Sequence, residues 1–277
     1  MSFELPDVMY NNYPGPRFGR TGIRELCGVE SGPVLMSAIK PLGTPTADFA
    51  RMVYELALGG CPLIKDDHSL LNQKPAPFEE RVKACVDAVE AANAKTGGKS
   101  QFIANCTADG LQFLERAFKA KELGAGGIMA APGLLGFSMI RELSKDLEFG
   151  LPIYLHPCFS GSLVLKDDCG ISPFCYYGQI SRLAGADAVI FTSFGGRFPF
   201  SQEVCQNICN GTETRMADLK SIFPVPSGGM RWQLFRRMYE IYGPETIFLV
   251  GGALQTEGPD LTSNMKLYAE KLQDAQA

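Results

Sequence analysis

The chain has 277 residues, 45% of them hydrophobic, with a net charge of −4 and an isoelectric point near 5.4. Its length fits one large α/β domain or two small ones, and its charge gives no support for a nucleic-acid partner or an anionic membrane. No apolar run approaches the roughly 18 residues of a membrane span. The opening Met1-Ser2-Phe3-Glu4-Leu5-Pro6-Asp7 lacks the basic and apolar regions of a signal peptide, so a cytoplasmic protein is expected.

Residues 1–32 read as an irregular lead-in, punctuated by turns at Tyr13-Pro14-Gly15-Pro16 and Phe18-Gly19. A first strand over 33–39 follows, then a helix over 47–58 capped by Thr46. The second strand covers 62–65, and the helix over 78–94 has its apolar face at Val82, Cys85, Val86 and Val89. The third strand (101–105) leads to a helix over 111–123, and the fourth (127–131) to one near 137–147. The fifth (152–156) is followed by a longer loop and a helix over 175–184. The sixth (188–192) precedes a helix from about 201, the seventh (221–225) a helix over 231–242, and the eighth (246–250) a last helix over 261–273.

Strands too apolar to face water on either side imply a parallel sheet covered by helices. Eight such repeats in roughly 240 residues is the size of a closed (β/α)₈ TIM barrel over 33–277. An open doubly wound sheet is the alternative. It is weakened because Lys40-Pro41-Leu42-Gly43 stands where a GxGxxG turn would follow the first strand.

The nine cysteines form no CxxC pair, the usage expected of reduced, mostly buried thiols. Cys205 and Cys209, four apart on one helix face, would need outside ligands to hold a metal. Lys166-Asp167-Asp168 reads as a solvated turn and Trp232 as packing. Cys158, two residues past His156, carries no mark of a thiolate.

In a barrel the strand C-termini converge on one mouth, where chemistry is carried. Here they supply Lys40; Lys65, Asp67 and His68; Asn105; His156; Ser193 with Gly195-Gly196-Arg197; Ser227-Gly228-Gly229; and Gly251-Gly252. Two glycine turns on neighbouring strands suit a phosphate, because backbone N–H groups approach it with no Cβ in the way. Tight βα turns also favour glycine. Lys65 and Asp67, two apart on extended chain, point the same way. They form a plain ion pair or, if the amine captures CO2, a carbamate–carboxylate pair of the oxygen type that Mg²⁺ prefers.

The segments AIKPLG (38–43), LIKDDH (63–68), IANCTA (103–108), YLHPCF (154–159), GADAVIFTSFGGRF (185–198), VPSGGM (225–230) and LVGGAL (249–254) resemble, in that order, the C-terminal barrel of the RuBisCO large subunit. The likeness is strongest to the RuBisCO-like proteins that do not fix CO2, and it runs from about Tyr13 to the C-terminus. The resemblance implies that Lys65 is the carbamylated lysine, Asp67 a metal-binding aspartate and Lys40 the lysine that moves protons near the reacting carbon. It places His156 near the substrate as a catalytic group and Ser227, Gly228, Gly229, Gly251 and Gly252 on a phosphate. Asn105 and Arg197 are expected beside the substrate, with one Mg²⁺ ion as cofactor.

The departures from the carboxylases narrow the reaction. His68 stands in place of a glutamate ligand, so it serves as a metal ligand or an acid/base group and opens the site to Mn²⁺ or Zn²⁺. Leu42 replaces a second lysine. Pro157 and Ser160 replace an arginine and a histidine that grip a second phosphate, and Ala188-Val189-Ile190 replaces a segment carrying histidines. The expected substrate therefore bears one phosphate, and carboxylation of ribulose bisphosphate is excluded. The family's N-terminal α+β domain is expected to be absent here, so that the chain is a fragment or takes a separate lid domain, and a homodimer or higher homo-oligomer is expected. The favoured reaction is decarboxylation of a 3-oxo sugar-acid phosphate through an enediolate, since "KDDH" and "GGRF" resemble that branch. The alternatives are enolisation or isomerisation of a methylthio-ketose phosphate, and a non-catalytic barrel that binds a sugar phosphate.

Overall fold

The computed structural model describes residues 2–166, 170–195 and 199–276. Eight parallel strands close into a barrel in sequence order: β1 (Val34–Ile39), β2 (Leu63–Asp66), β3 (Gln101–Asn105), β4 (Gly127–Ala130), β5 (Ile153–Leu155), β6 (Ala188–Thr192), β7 (Phe223–Ser227) and β8 (Ile247–Val250). This is the (β/α)₈ fold expected from the strand–helix repeats. Alternation along each strand sends Val34, Met36, Leu63, Ile103, Met129 and Tyr154 into the barrel, and Leu35, Ile39, Ile64, Phe102 and Ile128 outward against the helices. The second set is what makes the strands apolar on both faces.

The lead-in is not irregular. It contains the helices Asp7–Tyr10 and Gly19–Cys27, and the longer one plugs the N-terminal end of the barrel with Ile23 and Cys27 against the interior cluster. The Pro and Gly turns in front of it masked the four-residue spacing of that pair. Asp187, at the foot of β6, holds the helix entry: its carboxylate accepts from the backbone N–H of Phe18 at 2.7 Å, Gly19 at 2.8 Å and Ile153 at 3.0 Å.

Three further expectations shift. Thr46 is the first residue of the helix Thr46–Leu58, whose cap is Pro45, and no side chain caps it. The expected helix over 175–184 is a π-helix, Phe174–Ile180, continued by Ser181–Leu183. The seventh strand is Phe223–Ser227, shifted two residues beyond the expected 221–225, and it carries Pro224 and Pro226. They are tolerated because the N–H of Phe223 points to Asp187 on the β6 side, which turns the two prolines toward β8. With no N–H to give there, β7 pairs with β8 at only Ser227↔Leu249.

Asp187→Ala is expected to leave three backbone donors without their acceptor and to lower the free energy of unfolding by ~3 kcal/mol, measured by urea denaturation followed by circular dichroism.

Candidate active site

The site begins beneath the mouth, with a charge that faces away from it. Strand alternation turns Asp66 outward, where it is fully buried and pairs with the fully buried Arg81 of the helix Phe78–Thr96 (Nε to Oδ1 3.0 Å). Asp66 Oδ2 also accepts from the N–H of Asn105 at 3.0 Å. Arg81 donates further to the carbonyls of Leu70, Leu71 and Ala76, so one guanidinium fastens the end of β2 and the loop that follows it.

That loop presents Asp67 and His68 to a cavity of about 700 Å³ at the barrel mouth, which is also lined by Lys40, Lys65, His156, Ser227, Gly228, Gly229, Gly251 and Gly252. Lys65, in register with Ala38 of β1 and Ile103 of β3, is buried, and its Nζ donates to the carbonyl of Asp66 at 2.8 Å. Burial pushes the amine down to about 8, against the attraction of Asp67 and Asp66 and with help from the charge of Lys40. Asp67 Oδ1 accepts from the N–H and hydroxyl of Ser69 and lies 3.2 Å from His68 Nδ1.

The two histidines of the chain meet here, with rings stacked at 4.5 Å between centroids and 13° between planes. Burial, followed by the charge of Lys65, holds His156 well below the usual imidazole range, so the ring stays neutral. Its Nδ1 accepts the N–H of Cys158 at 3.2 Å, which leaves the proton on Nε2. The Cys158 thiol also lines the cavity and is raised by burial, so it stays protonated.

On the opposite wall, Gly228 and Gly229 follow one another at φ +83° and +79°, a left-handed pair that side-chain-bearing residues rarely adopt. Gly251 leaves room for Lys40: a Cβ there would stand 3.2 Å from Lys40 Nζ. Gln255 Nε2, bonded to the carbonyl of Ala38 at 2.9 Å, ties the turn after β8 to the end of β1. A larger hollow of about 1070 Å³ lies at the other pole, but its arginines are already paired, Arg20 with Glu213 and Arg24 with Glu245, and no strand-end residue reaches it.

The catalytic-domain model of the ribulose bisphosphate carboxylase large chain matches residues 21–257. The chain belongs to the RuBisCO large-chain family. Within it the chain is a RuBisCO-like protein of the form IV group. It is 32% identical to the 5-methylthioribulose-1-phosphate isomerase of Rhodospirillum rubrum, over 99% of this chain and 72% of that protein. It is 34% identical to the 2,3-diketo-5-methylthiopentyl-1-phosphate enolase of Geobacillus kaustophilus, over 92% of this chain and 62% of that protein. The crystal structure of a RuBisCO-like protein from Rhodopseudomonas palustris superposes with a TM-score of 0.86 at 31% identity, covering 99% of this chain and 73% of the other. The chain thus spans between three fifths and three quarters of these relatives' lengths. The two activities named are an isomerase and an enolase; the decarboxylation expected from "KDDH" and "GGRF" finds no support in them.

Most of the RuBisCO-like site expected from the sequence gathers in one cavity, with two exceptions. Asn105 is buried below it and donates to the carbonyls of Asp67, His68 and Leu70, so it holds the β2 loop and does not line the cavity. Arg197, with Gly196 beside it and Asp167 and Asp168 of the other charged turn, lies outside the described residues. Ser193 is buried and paired with Tyr242 at 2.9 Å. Sequence reasoning missed Tyr177 and Phe200, which line the cavity from outside the strand ends. No sequence signal marked them: Tyr177 is brought in by a three-dimensional contact, where an added Cβ on Gly178 would meet the backbone of Gly211 at 2.4 Å, which seats the π-helix that carries it.

Arg81→Met is expected to strand the Asp66 carboxylate in the core and destabilise the fold by about 3–5 kcal/mol. Differential scanning calorimetry measures the loss.

Proposed function

We propose that this chain catalyses enolisation or isomerisation, moving a proton at a carbon next to a carbonyl in a sugar-derived substrate that bears a single phosphate. The observation that carries this reading is the seating of the Lys40 amine against the Gly251–Gly252 turn. A phosphate anchored on the backbone N–H groups of the glycine turns places its neighbouring carbons within reach of that amine. Lys40 then accepts or returns the proton at such a carbon. The neutral His156 offers its Nε2–H to a substrate oxygen, and the His68 ring covers one of its faces. The relatives named above, an isomerase and an enolase of phosphorylated methylthio-pentyl compounds, support the same chemistry.

The donor set fits a divalent ion in one chemical form. Among the described residues no three His, Cys, Asp or Glu side chains group to hold a metal. Addition of CO2 to the neutral Lys65 amine, with release of a proton, yields an anionic oxygen donor beside Asp67, whose Oδ2 accepts no hydrogen bond from the described residues. Lys65 as carbamate, Asp67 and His68 would hold Mg²⁺, or Mn²⁺ or Zn²⁺ where the imidazole nitrogen ligates. When bound, the ion supplies Lewis-acid polarisation of the substrate carbonyl. Exposed Leu42, Leu71, Leu134, Phe159 and Leu163 rim the mouth on the loops after β1, β2, β4 and β5, an apolar surface suited to burial in a homodimer or under a lid domain.

Two measurements test the reading. In D2O the protein is expected to exchange a carbon-bound proton of a 2-keto-pentosyl 1-phosphate, followed by proton NMR, with Lys40→Met at least 100-fold slower. Release of CO2 from a 3-oxo sugar-acid phosphate without such exchange would establish decarboxylation instead, and phosphate-dependent binding without either turnover would establish a binding barrel.

Carbamate formation requires the neutral amine, and a Lys65 amine near 8 is roughly one-tenth neutral at pH 7 and half neutral at pH 8. At fixed dissolved CO2 the ¹³C NMR carbamate signal is therefore expected to rise through pH 8 and to be missing in Lys65→Ala. A signal that stays flat from pH 7 to 9 contradicts this assignment.

A further inference from the structure

In an eight-stranded barrel β5 stands across from β1, and the wall after β5 differs in chemistry from the glycine turns opposite. It is built from Phe159, Val164, Leu165 and Phe200 around two buried hydroxyls, Ser160 and Tyr177. Ser160 Oγ lies 2.7 Å from the carbonyl of Pro157 and 2.8 Å from the phenol oxygen of Tyr177.

The proton positions in this triad follow from elementary bonding. A carbonyl oxygen only accepts, so the single Ser160 proton is committed to Pro157. The Tyr177 O–H must then donate to Ser160 Oγ, since two lone pairs cannot bond each other. The direction runs one way, from Tyr177 to Ser160 to Pro157. What remains at the Tyr177 oxygen, on a residue that lines the cavity, is acceptor capacity to which none of the described residues donates. Burial also pushes the phenol up to about 12, which keeps its proton in place.

We infer that Tyr177, oriented by Ser160 and Pro157, is a specificity-determining residue that accepts a hydrogen bond from a hydroxyl on the substrate's end remote from the phosphate. This rests on the phosphate reading of the glycine turns and adds the chemistry of the opposite end. A second phosphate or a carboxylate would set its oxygens against oxygen lone pairs, with no lysine or arginine lining this wall among the described residues. A thioether fills the apolar space but has no proton to offer. A hydroxyl does both, with its carbon against Phe159 and Phe200 and its proton on Tyr177. The seating of the π-helix through Gly178 and Gly211 fixes the position of the acceptor.

The test is isothermal titration of the full chain with ribulose 1-phosphate, its 4-deoxy and 5-deoxy analogues, and 5-methylthioribulose 1-phosphate. The expected result is about tenfold weaker binding of one deoxy analogue than of the parent, in line with one buried hydrogen bond. Tyr177→Phe should erase that difference while leaving the affinity of the same deoxy analogue unchanged. Ser160→Ala frees the Tyr177 proton to turn into the cavity and donate. There the O-methyl ether at the same position, which has no proton and should bind the unaltered protein no better than the deoxy analogue, is expected to bind more tightly than that analogue; this serves if Tyr177→Phe misfolds. Equal binding of all four compounds, a preference that survives Tyr177→Phe, or an ether that gains nothing from Ser160→Ala overturns the Tyr177 assignment and leaves the phosphate anchor standing. If none of the four binds, the phosphate anchor itself fails and the inference falls with it.

Discussion

A carboxylate and a guanidinium with no solvent exposure at all are costly to bury, and they persist only when geometry and added hydrogen bonds compensate. Asp66 and Arg81 meet that condition by taking backbone groups as further partners: the N–H of Asn105 on one side and three carbonyls of 70–76 on the other. The pair therefore joins β2, β3, the loop after β2 and the helix that follows it. Asn105 adds a second layer by capping the carbonyls of the same loop with its amide. Lys65, Asp67 and His68 are held from behind by groups that never reach the cavity. Local electrostatics at the mouth, including the lowered Lys65 amine, depend on that loop staying put.

The cavity has two unlike ends because two kinds of local structure build it. Around β7, β8 and β1 the chain is short-turned and glycine-rich, and it offers backbone and the amine of Lys40. Around β5 it is longer, with Phe159 itself at a positive φ of 64°, and it offers aromatic and aliphatic surface with one oriented phenol. An anion suits the first end and an uncharged group the second. The loss of an arginine and a histidine at Pro157 and Ser160, inferred from the family resemblance, agrees with this polarity. The Ser160 and Tyr177 hydroxyls on that wall are already bonded to each other and to the carbonyl of Pro157.

Much of this was legible in the sequence, and the exceptions have physical causes. The eight strands and their mouth could be read because runs such as Cys61-Pro62-Leu63-Ile64 end abruptly in charge, a signal that survives errors of two residues at element ends. The lead-in helix could not be read because its packing partner is the barrel floor, built from strands along the whole chain, and its own turns dominate the local pattern. Asn105 was assigned to the substrate because strand-end position says where a side chain starts, not whether a neighbouring loop claims it. Tyr177 was invisible for a related reason. It lies on no strand, and only the approach of Gly178 to Gly211 in three dimensions brings it to the cavity.

His68 shows how one substitution can alter two things together. A glutamate at this position would supply oxygen to a cation and leave the face of His156 open. The imidazole instead points Nδ1 at Asp67 and lays its ring over His156. The stack narrows solvent access to His156, and exclusion of water is the first cause of that ring's neutral state. A neutral imidazole with its proton on Nε2 is a hydrogen-bond donor of fixed direction across the physiological range, whereas an imidazolium would compete with Lys40 for the same anions. The histidine proposed to alter the cation at the mouth thus also adds its ring to the burial that keeps the residue beneath it neutral.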